Sequence, residues 1–170
     1  SASGLAAAFA GAGATLAARI HAMATANDLL VNEDFGRASL RTLVRRTLAP
    51  FGVEDHSRFS IVGAEVELPS NLTAAYALVM HELATNATKY GALSNESGVV
   101  EIEWSIDTNA TGRELTLSWR ERGGPPVVAP ARTSFGTQLI QRLLASEAGG
   151  VATVAYDPSG LSFIARVPLD

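Results

Sequence analysis

The chain has 170 residues and a formal net charge of -4, with 47% apolar residues, 6% aromatic residues and no cysteine. That length fits one domain with a single core and an appended element. The acidic balance argues against a general affinity for nucleic acid or for an anionic membrane. The lack of cysteine excludes disulfides, thiolate zinc sites and a cysteine nucleophile, and it is compatible with a cytoplasmic location.

The N-terminal segment, residues 1–34, is uncharged as far as Arg19. It has no basic start, and its uncharged run is too short and too rich in alanine and glycine to span a bilayer, so we expect no membrane insertion. From about residue 15 to residue 31, side chains recur at three- and four-residue spacing and predict a helix. These side chains are Leu16, Ile20, Met23, Asn27 and Leu30.

The central stretch, residues 69–94, predicts one amphipathic helix, with Ser70 placed to cap it. Its apolar stripe consists of Leu72, Tyr76, Val79, Met80, Leu83, Ala87 and Tyr90. Glu82, Asn86 and Lys89 project within roughly 60° of one another along the border of that stripe. An amide oxygen can bind Mg²⁺, an ammonium can meet a phosphate, and a carboxylate can orient or deprotonate a hydroxyl. Spacing alone equally allows an ordinary solvated helix edge.

Shorter elements flank this helix. One further helix is predicted over residues 37–49, ended by Pro50 and Gly52, and another begins at Phe135 and ends before Gly149. The strands predicted from alternating or continuous apolar runs cover residues 59–62, 64–68, 100–106, 115–121, 151–156 and 161–167. A loop over residues 107–113 is expected to join the third and fourth of these strands.

The fourth predicted strand carries a buried acid. Its alternation places Glu121 on the same inward face as Trp119, which we expect to pack in the core. A carboxylate at that position needs a partner, because burying it unpaired would cost several kcal/mol. Gly123 and Gly124 follow, and they suit either a simple turn or the close approach of a ligand to the backbone.

The stretch HELATNATKYGALS, residues 81–94, resembles the N box of sensor histidine kinases of the HWE family, a branch of the GHKL ATP-binding superfamily. Trp119-Arg120-Glu121 is similar to the family's Trp-x-Glu, and the later ERGGPPV and SFGTQLIQRLL agree in order. The resemblance implies an α/β (α+β) two-layer sandwich over residues 35–170, in which helices cover one side of a mixed sheet. Residues 1–34 would then be part of a dimerisation and phosphotransfer hairpin.

The resemblance also implies ATP and Mg²⁺ as ligands. It assigns Asn86 to Mg²⁺, Glu121 to the adenine amino group, and Glu82 to the surroundings of the γ-phosphate. His81 would stand beside Glu82 among the catalytic residues, although helical geometry turns it about 100° away and favours a packing role. The other residues implied in nucleotide binding are Lys89, Tyr90, Gly123, Gly124, Phe135, Gly136 and Thr137. The family's Gly-Phe-Gly-Thr begins here with Ser134.

The implied reaction is transfer of the ATP γ-phosphoryl group to a histidine on a helical hairpin and then to an aspartate of a response regulator, with the kinase dimerising through the hairpin. No His-Arg-Val-Lys-Asn motif occurs, and neither His21 nor His56 has the surroundings of an acceptor, so we expect the acceptor outside this chain. Ser134 and the nine-residue linker before it motivate an alternative, a docking scaffold that binds no ATP. Another GHKL ATPase or serine kinase is the second alternative.

Overall fold

A computed structural model of the chain describes residue 20, residues 37–129, residues 138, 140–142, 144 and 145, and residues 149–169. The described helices and strands are β1 (Arg37–Ser39), α1 (Leu40–Leu48), β2 (Phe59–Gly63), β3 (Glu67–Pro69), α2 (Ser70–Tyr90), β4 (Val99–Asn109), β5 (Gly112–Arg122), β6 (Val151–Asp157) and β7 (Gly160–Pro168). The predicted N-terminal helix lies outside the described residues except for Ile20, which is helical. The division of the chain at residue 34 stays a prediction.

Five strands form one sheet in the order β2-β4-β5-β7-β6. β2 runs parallel to β4, and the other neighbours are antiparallel, so the sheet is mixed. Buried side chains from α1, α2 and the inner face of the sheet form one hydrophobic core. Side chains of the opposite face, such as Ser60, Glu103 and Arg120, are exposed. These features confirm the predicted two-layer sandwich with helices on one side.

The α2 helix is the long amphipathic helix that the sequence predicts. Its apolar stripe is buried except at Tyr90, which is 74% exposed. The predicted cap is wrong, because Pro69 occupies the N-cap position and Ser70 is the first helical residue. The Thr73 hydroxyl donates instead to the Pro69 carbonyl oxygen at 3.1 Å. The helix ends where the Gly91 N–H donates to the carbonyl of Ala87.

The predicted helix over residues 37–49 begins three residues too early. Residues 37–39 form β1, which pairs antiparallel with β3 in a separate two-stranded sheet. α1 then begins at Leu40, and the Ser39 hydroxyl oxygen accepts from the Thr42 N–H at 3.3 Å as its cap. A short 3-10 turn follows, and Gly52 ends it with a left-handed φ of 85°.

The β4–β5 hairpin confirms the alternation but corrects the loop. Both strands are longer than predicted, so the connection shrinks from residues 107–113 to Ala110 and Thr111. The Asn109 carboxamide oxygen accepts from the Thr111 N–H at 2.9 Å, which closes this tight turn. The inward side chains are buried as predicted; they are Val100, Ile102, Trp104, Leu115, Leu117, Trp119 and Glu121.

The C-terminal hairpin, β6 with β7, confirms the predicted pair of strands and its turn. The residues described before it, within 138–145, are helical as the sequence predicts, and Ile140 and Leu144 are buried. Among the described residues, no helix is long and apolar enough to cross a membrane.

Candidate nucleotide site

The polar strip of α2 runs from the core to the solvent. The strip consists of Glu82, Asn86 and Lys89, and Tyr90 follows Asn86 one helical turn later on the same side of the helix. Glu82 is 4% exposed, Asn86 is half-buried, and Tyr90 and its neighbour Lys89 are exposed. With a rise of about 1.5 Å per residue, Asn86 lies about 6 Å along the helix axis from Tyr90. The strip therefore leads toward the helix end.

His81 packs away from the strip. Its ring is buried and meets the ring of Phe51 edge to face, with 5.8 Å between centroids. Phe51 belongs to the 3-10 turn after α1, so this contact joins the two helices. The packing role favoured by helical geometry is what the structure shows, and a catalytic role for His81 stays a prediction.

Glu121 is buried at the inner end of β5, with 5% of its surface exposed. Oε1 accepts from the Ala92 backbone N–H at 2.9 Å, and Oε2 accepts from the Trp119 indole N–H at 3.0 Å. These two N–H groups are therefore the hydrogen-bond partners that a buried carboxylate at this position needs. Burial raises the pKa of Glu121 above its ordinary value, while the bonds from Ala92 and Trp119 oppose that shift.

A cavity of about 370 Å³ opens at the end of α2, with Glu121 in its wall. Its other lining residues are Tyr90, Gly91, Pro126, Val127, Val128, Tyr156 and Leu161. These side chains are mainly apolar or aromatic, and Glu121 supplies the one carboxylate among them. Such a slot suits a flat heteroaromatic base that carries a hydrogen-bond donor.

The sequence predicts only part of this lining. Val127, Val128, Tyr156 and Leu161 are not among the predicted site residues. Tyr156 and Leu161 are register partners in the C-terminal hairpin, and the Val127 N–H donates to the Pro158 carbonyl at 3.2 Å across to its turn. An aromatic residue beside a hairpin turn is a weak sequence signal, because only the fold brings that turn to Glu121.

The local backbone at Gly123 and Gly124 favours glycine for structural reasons, independently of any ligand. Gly123 has a left-handed φ of 71°, which favours glycine. A Cβ on Gly124 would lie 2.7 Å from the Ala92 backbone, so this glycine lets two loops meet. Gly123 also lines a second groove beside Glu121, of about 480 Å³. Contact of either glycine with a nucleotide stays a prediction.

The loop from Gly91 to Gly98 is held by Arg58. The Arg58 guanidinium donates to the carbonyls of Gly98 at 2.6 Å, Asn95 at 2.7 Å and Ala92 at 3.1 Å. Sequence reasoning missed this arginine, because nothing in its neighbourhood predicts a partner about 40 residues away. Arg58 fixes the backbone whose Ala92 N–H reaches Glu121.

The predicted phosphate-binding residues at the start of the helix after the linker are not among the described residues. Phe135, Gly136 and Thr137, with Ser134 before them, lie outside the described residues. Their assignment to phosphate binding at the start of a helix stays a prediction.

Gly160 supports the site by close packing. A Cβ at this position would collide with the carbonyl oxygen of Glu121, a backbone atom that cannot move away cheaply. We expect Gly160→Ala to push the hairpin from β5, lower the free energy of unfolding by about 2–3 kcal/mol and weaken nucleotide binding. Thermal unfolding beside Ser159→Ala, a change in the same turn, measures this. Equal melting temperatures for the two variants would contradict the packing argument.

Comparisons with known proteins find similar sequences and folds among histidine kinases. A family model described as HWE histidine kinase matches residues 6–65. The blue-light-activated histidine kinase of Brucella ovis is 36% identical over 151 residues, which make up 89% of this chain and 31% of that protein. The Brucella anthropi relative is 34% identical over the same length. The chain thus spans about a third of the length of these relatives.

Solved structures show the same fold. The histidine kinase domain of an Erythrobacter litoralis blue-light-activated kinase has a TM-score of 0.67 at 15% identity, covering 91% of this chain and 74% of that one. The catalytic domain of the histidine kinase ThkA has a TM-score of 0.60 at 18% identity, covering 78% and 95%. The described fold is that of a histidine kinase catalytic domain. In sequence, the chain is similar to the HWE histidine kinase family over residues 6–65 and to blue-light-activated histidine kinases over 89% of its length.

Proposed function

We propose that this chain binds ATP in the cavity at the end of α2 and transfers its γ-phosphoryl group to a histidine. The observation that carries the proposal is the cavity itself. A buried carboxylate forms one wall, mainly apolar and aromatic side chains line the rest, and the exposed end of the polar strip, beside Tyr90, adjoins it. A base in the cavity would place its phosphates along that strip.

Glu121 would accept a hydrogen bond from the adenine amino group. Its two oxygens offer about four lone-pair positions, and Ala92 and Trp119 use two of them. Tyr90 and Tyr156 would contact the faces of the base, since both line the cavity. Aromatic side chains beside a heteroaromatic ring stabilise it by stacking or edge contacts.

Asn86 and Lys89 would meet the phosphates. Asn86 is half-buried one helical turn before Tyr90, and its neutral amide oxygen suits a Mg²⁺ ion that takes its other ligands from phosphate and water. When bound, the ion neutralises charge on the transferring phosphoryl group. Lys89 is exposed and can meet a phosphate as a point charge, while Glu82 would orient the reacting group.

The acceptor histidine would lie on a helical hairpin outside this chain, and an aspartate of a response regulator would receive the group next. The histidine kinase ThkA has been solved in complex with the response regulator protein TrrA, with a TM-score of 0.57 to this chain at 16% identity. The match covers 92% of this chain and 49% of that one. We further propose that the protein forms a homodimer through the hairpin. It would act in the cytoplasm, where ATP is available.

Phosphotransfer in trans tests the function. The chain is incubated with γ-labelled ATP, Mg²⁺ and a separately purified hairpin of the Brucella ovis relative. We expect acid-labile, base-stable label on the hairpin, with none when the Asn86→Ala variant replaces the chain. Label on the hairpin that does not depend on the chain, or no label at all, would contradict the kinase proposal and favour the docking scaffold.

The raised pKa of Glu121 predicts a pH dependence of binding. Only the ionised carboxylate accepts from an amino group without offering a competing proton, so ADP affinity is expected to fall as the pH drops through this pKa. Because burial raises the pKa above 4.5, the fall begins at a higher pH than for an exposed glutamate. Titrations between about pH 7 and pH 4.5 measure it. A Glu121→Gln variant should lack this step, and an identical profile for both proteins would contradict the assignment.

A further inference from the structure

The hydrogen bond between Trp119 and Glu121 gives the indole a role in the site as well as in the core. We propose that Trp119 is a positioning residue, which fixes the Glu121 carboxylate and thereby makes the cavity select a purine with an amino group at C6 over one with a carbonyl there. Adenine is the first kind of base and guanine the second. The inference rests on the proposed nucleotide binding and adds the origin of base selectivity.

The carboxylate has no freedom to turn. Oε1 is held by the Ala92 N–H at 2.9 Å and Oε2 by the Trp119 N–H at 3.0 Å, so rotation about the terminal torsion would break both bonds. A Cβ on Gly91 would collide with Oε1, which shows how closely the backbone encloses this oxygen. Both donors are N–H groups, so they hold the carboxylate as an acceptor.

The indole itself is fixed by the core. Trp119 is fully buried, and its register neighbours on either side, Ile102 on β4 and Phe163 on β7, are fully buried as well. Residues two apart on a strand share a face, which places the indole beside the carboxylate of Glu121. Tryptophan is the one large apolar side chain that ends in an obligate N–H donor.

Selectivity follows from the fixed acceptor. The lone pairs left on Glu121 attract an amino group in the cavity and repel a carbonyl oxygen. Without the indole N–H, the carboxylate can rotate and take up a proton more easily, because a bond that favours the charged form is gone. A protonated Glu121 can donate to a carbonyl, so loss of the Trp119 bond would let a guanine base compete.

The chain supplies a matched control. It has two tryptophans, and the second, Trp104, is also buried and donates its indole N–H to a backbone carbonyl, that of Ala64, at 2.7 Å. Trp104 does not line the cavity that holds Glu121. A tryptophan to phenylalanine change at either position removes the same atoms and one indole hydrogen bond, but only the Trp119 bond reaches the carboxylate.

The experiment compares ADP and GDP affinities of the unaltered chain, Trp119→Phe and Trp104→Phe, with melting temperatures as a check on folding. We expect Trp119→Phe to lose about tenfold in ADP affinity and to narrow the preference for ADP over GDP by about tenfold. Trp104→Phe should keep the preference of the unaltered chain. An unchanged preference in Trp119→Phe, with tight ADP binding by the unaltered chain, overturns the positioning role alone. Absence of ADP binding by the unaltered chain overturns this inference and the proposed function together.

A second measurement remains if Trp119→Phe does not fold. The two indole N–H signals of the ¹⁵N-labelled unaltered chain are assigned with Trp104→Phe and followed during ADP titration. We expect the Trp119 signal to shift and its exchange with solvent to slow, while the Trp104 signal stays in place. A Trp119 signal that does not move at saturating ADP overturns the proposal.

Discussion

Replacing Asn86 by alanine is expected to weaken Mg²⁺-dependent nucleotide binding by at least about 100-fold and to abolish phosphotransfer. Groups that only orient a metal ligand commonly cost 10- to 100-fold when removed, so a direct ligand should cost at least the upper figure. The substitution leaves the fold intact, because Asn86 is only half-buried and alanine favours a helix. Isothermal titration with ADP in the presence and absence of Mg²⁺ measures the effect.

The control for this variant is Asn71→Ala, the same change in an exposed residue of the first turn of α2. Fifteen residues of helix place Asn71 about 22 Å from Asn86 along the axis. It should bind nucleotide as the unaltered chain does. An Asn86→Ala variant that binds ADP with undiminished affinity and Mg²⁺ dependence would show that the polar strip of α2 is an ordinary helix edge.

Replacing Glu121 by alanine is expected to destabilise the domain and to remove ADP binding. The change leaves the N–H groups of Ala92 and Trp119 buried without an acceptor, at about 1–3 kcal/mol each. The alanine variant no longer buries an ionised carboxylate, and this gain offsets part of that cost. We therefore expect the free energy of unfolding to fall by about 3 kcal/mol and Tm by about 10 °C. Chemical and thermal unfolding, followed by titration with ADP of the folded fraction, measure both effects.

Glu103→Ala provides the comparison for Glu121→Ala. Glu103 lies on β4 with its side chain exposed on the outer face of the sheet, so its loss should change stability by less than about 0.5 kcal/mol. Equal stability of the two variants would mean that the bonds to Ala92 and Trp119 contribute little. Full ADP binding by Glu121→Ala would remove this residue from base recognition.

Local periodicity accounts for most of the fold. The spacing that buries Leu72, Tyr76 and Leu83 in α2 and the alternation of β4 and β5 both depend on residues close in sequence. One prediction is wrong because a partner that is distant in sequence determines the local structure. Residues 37–39 directly precede a helical segment in the sequence, yet they pair with β3, which lies about 30 residues later in the chain. The error in the loop over residues 107–113 has a local cause, because the Asn109 side-chain oxygen accepts hydrogen bonds from Thr111 and closes a shorter turn.

The candidate site also has a part that local spacing predicts and a part that depends on tertiary contacts. Glu82, Asn86 and Lys89 can be predicted to lie on one strip of a helix from their spacing, and Trp119 with Glu121 on one face of a strand from alternation. The walls of the cavity could not be predicted, since the linker with Val127 and Val128 and the turn of the C-terminal hairpin reach it only through tertiary packing. The spacing of side chains within one helix or strand can be predicted from sequence, whereas contacts between helices, strands and loops depend on the packing of the whole core.

Calorimetric titration of the purified chain tests directly whether this domain binds adenine nucleotide together with Mg²⁺. The ligands are ADP and a non-hydrolysable ATP analogue, each with and without Mg²⁺. We expect micromolar affinity that depends on Mg²⁺ and is lost in Asn86→Ala. Absence of both heat and thermal stabilisation at millimolar nucleotide would contradict this expectation and leave a scaffold of the same fold.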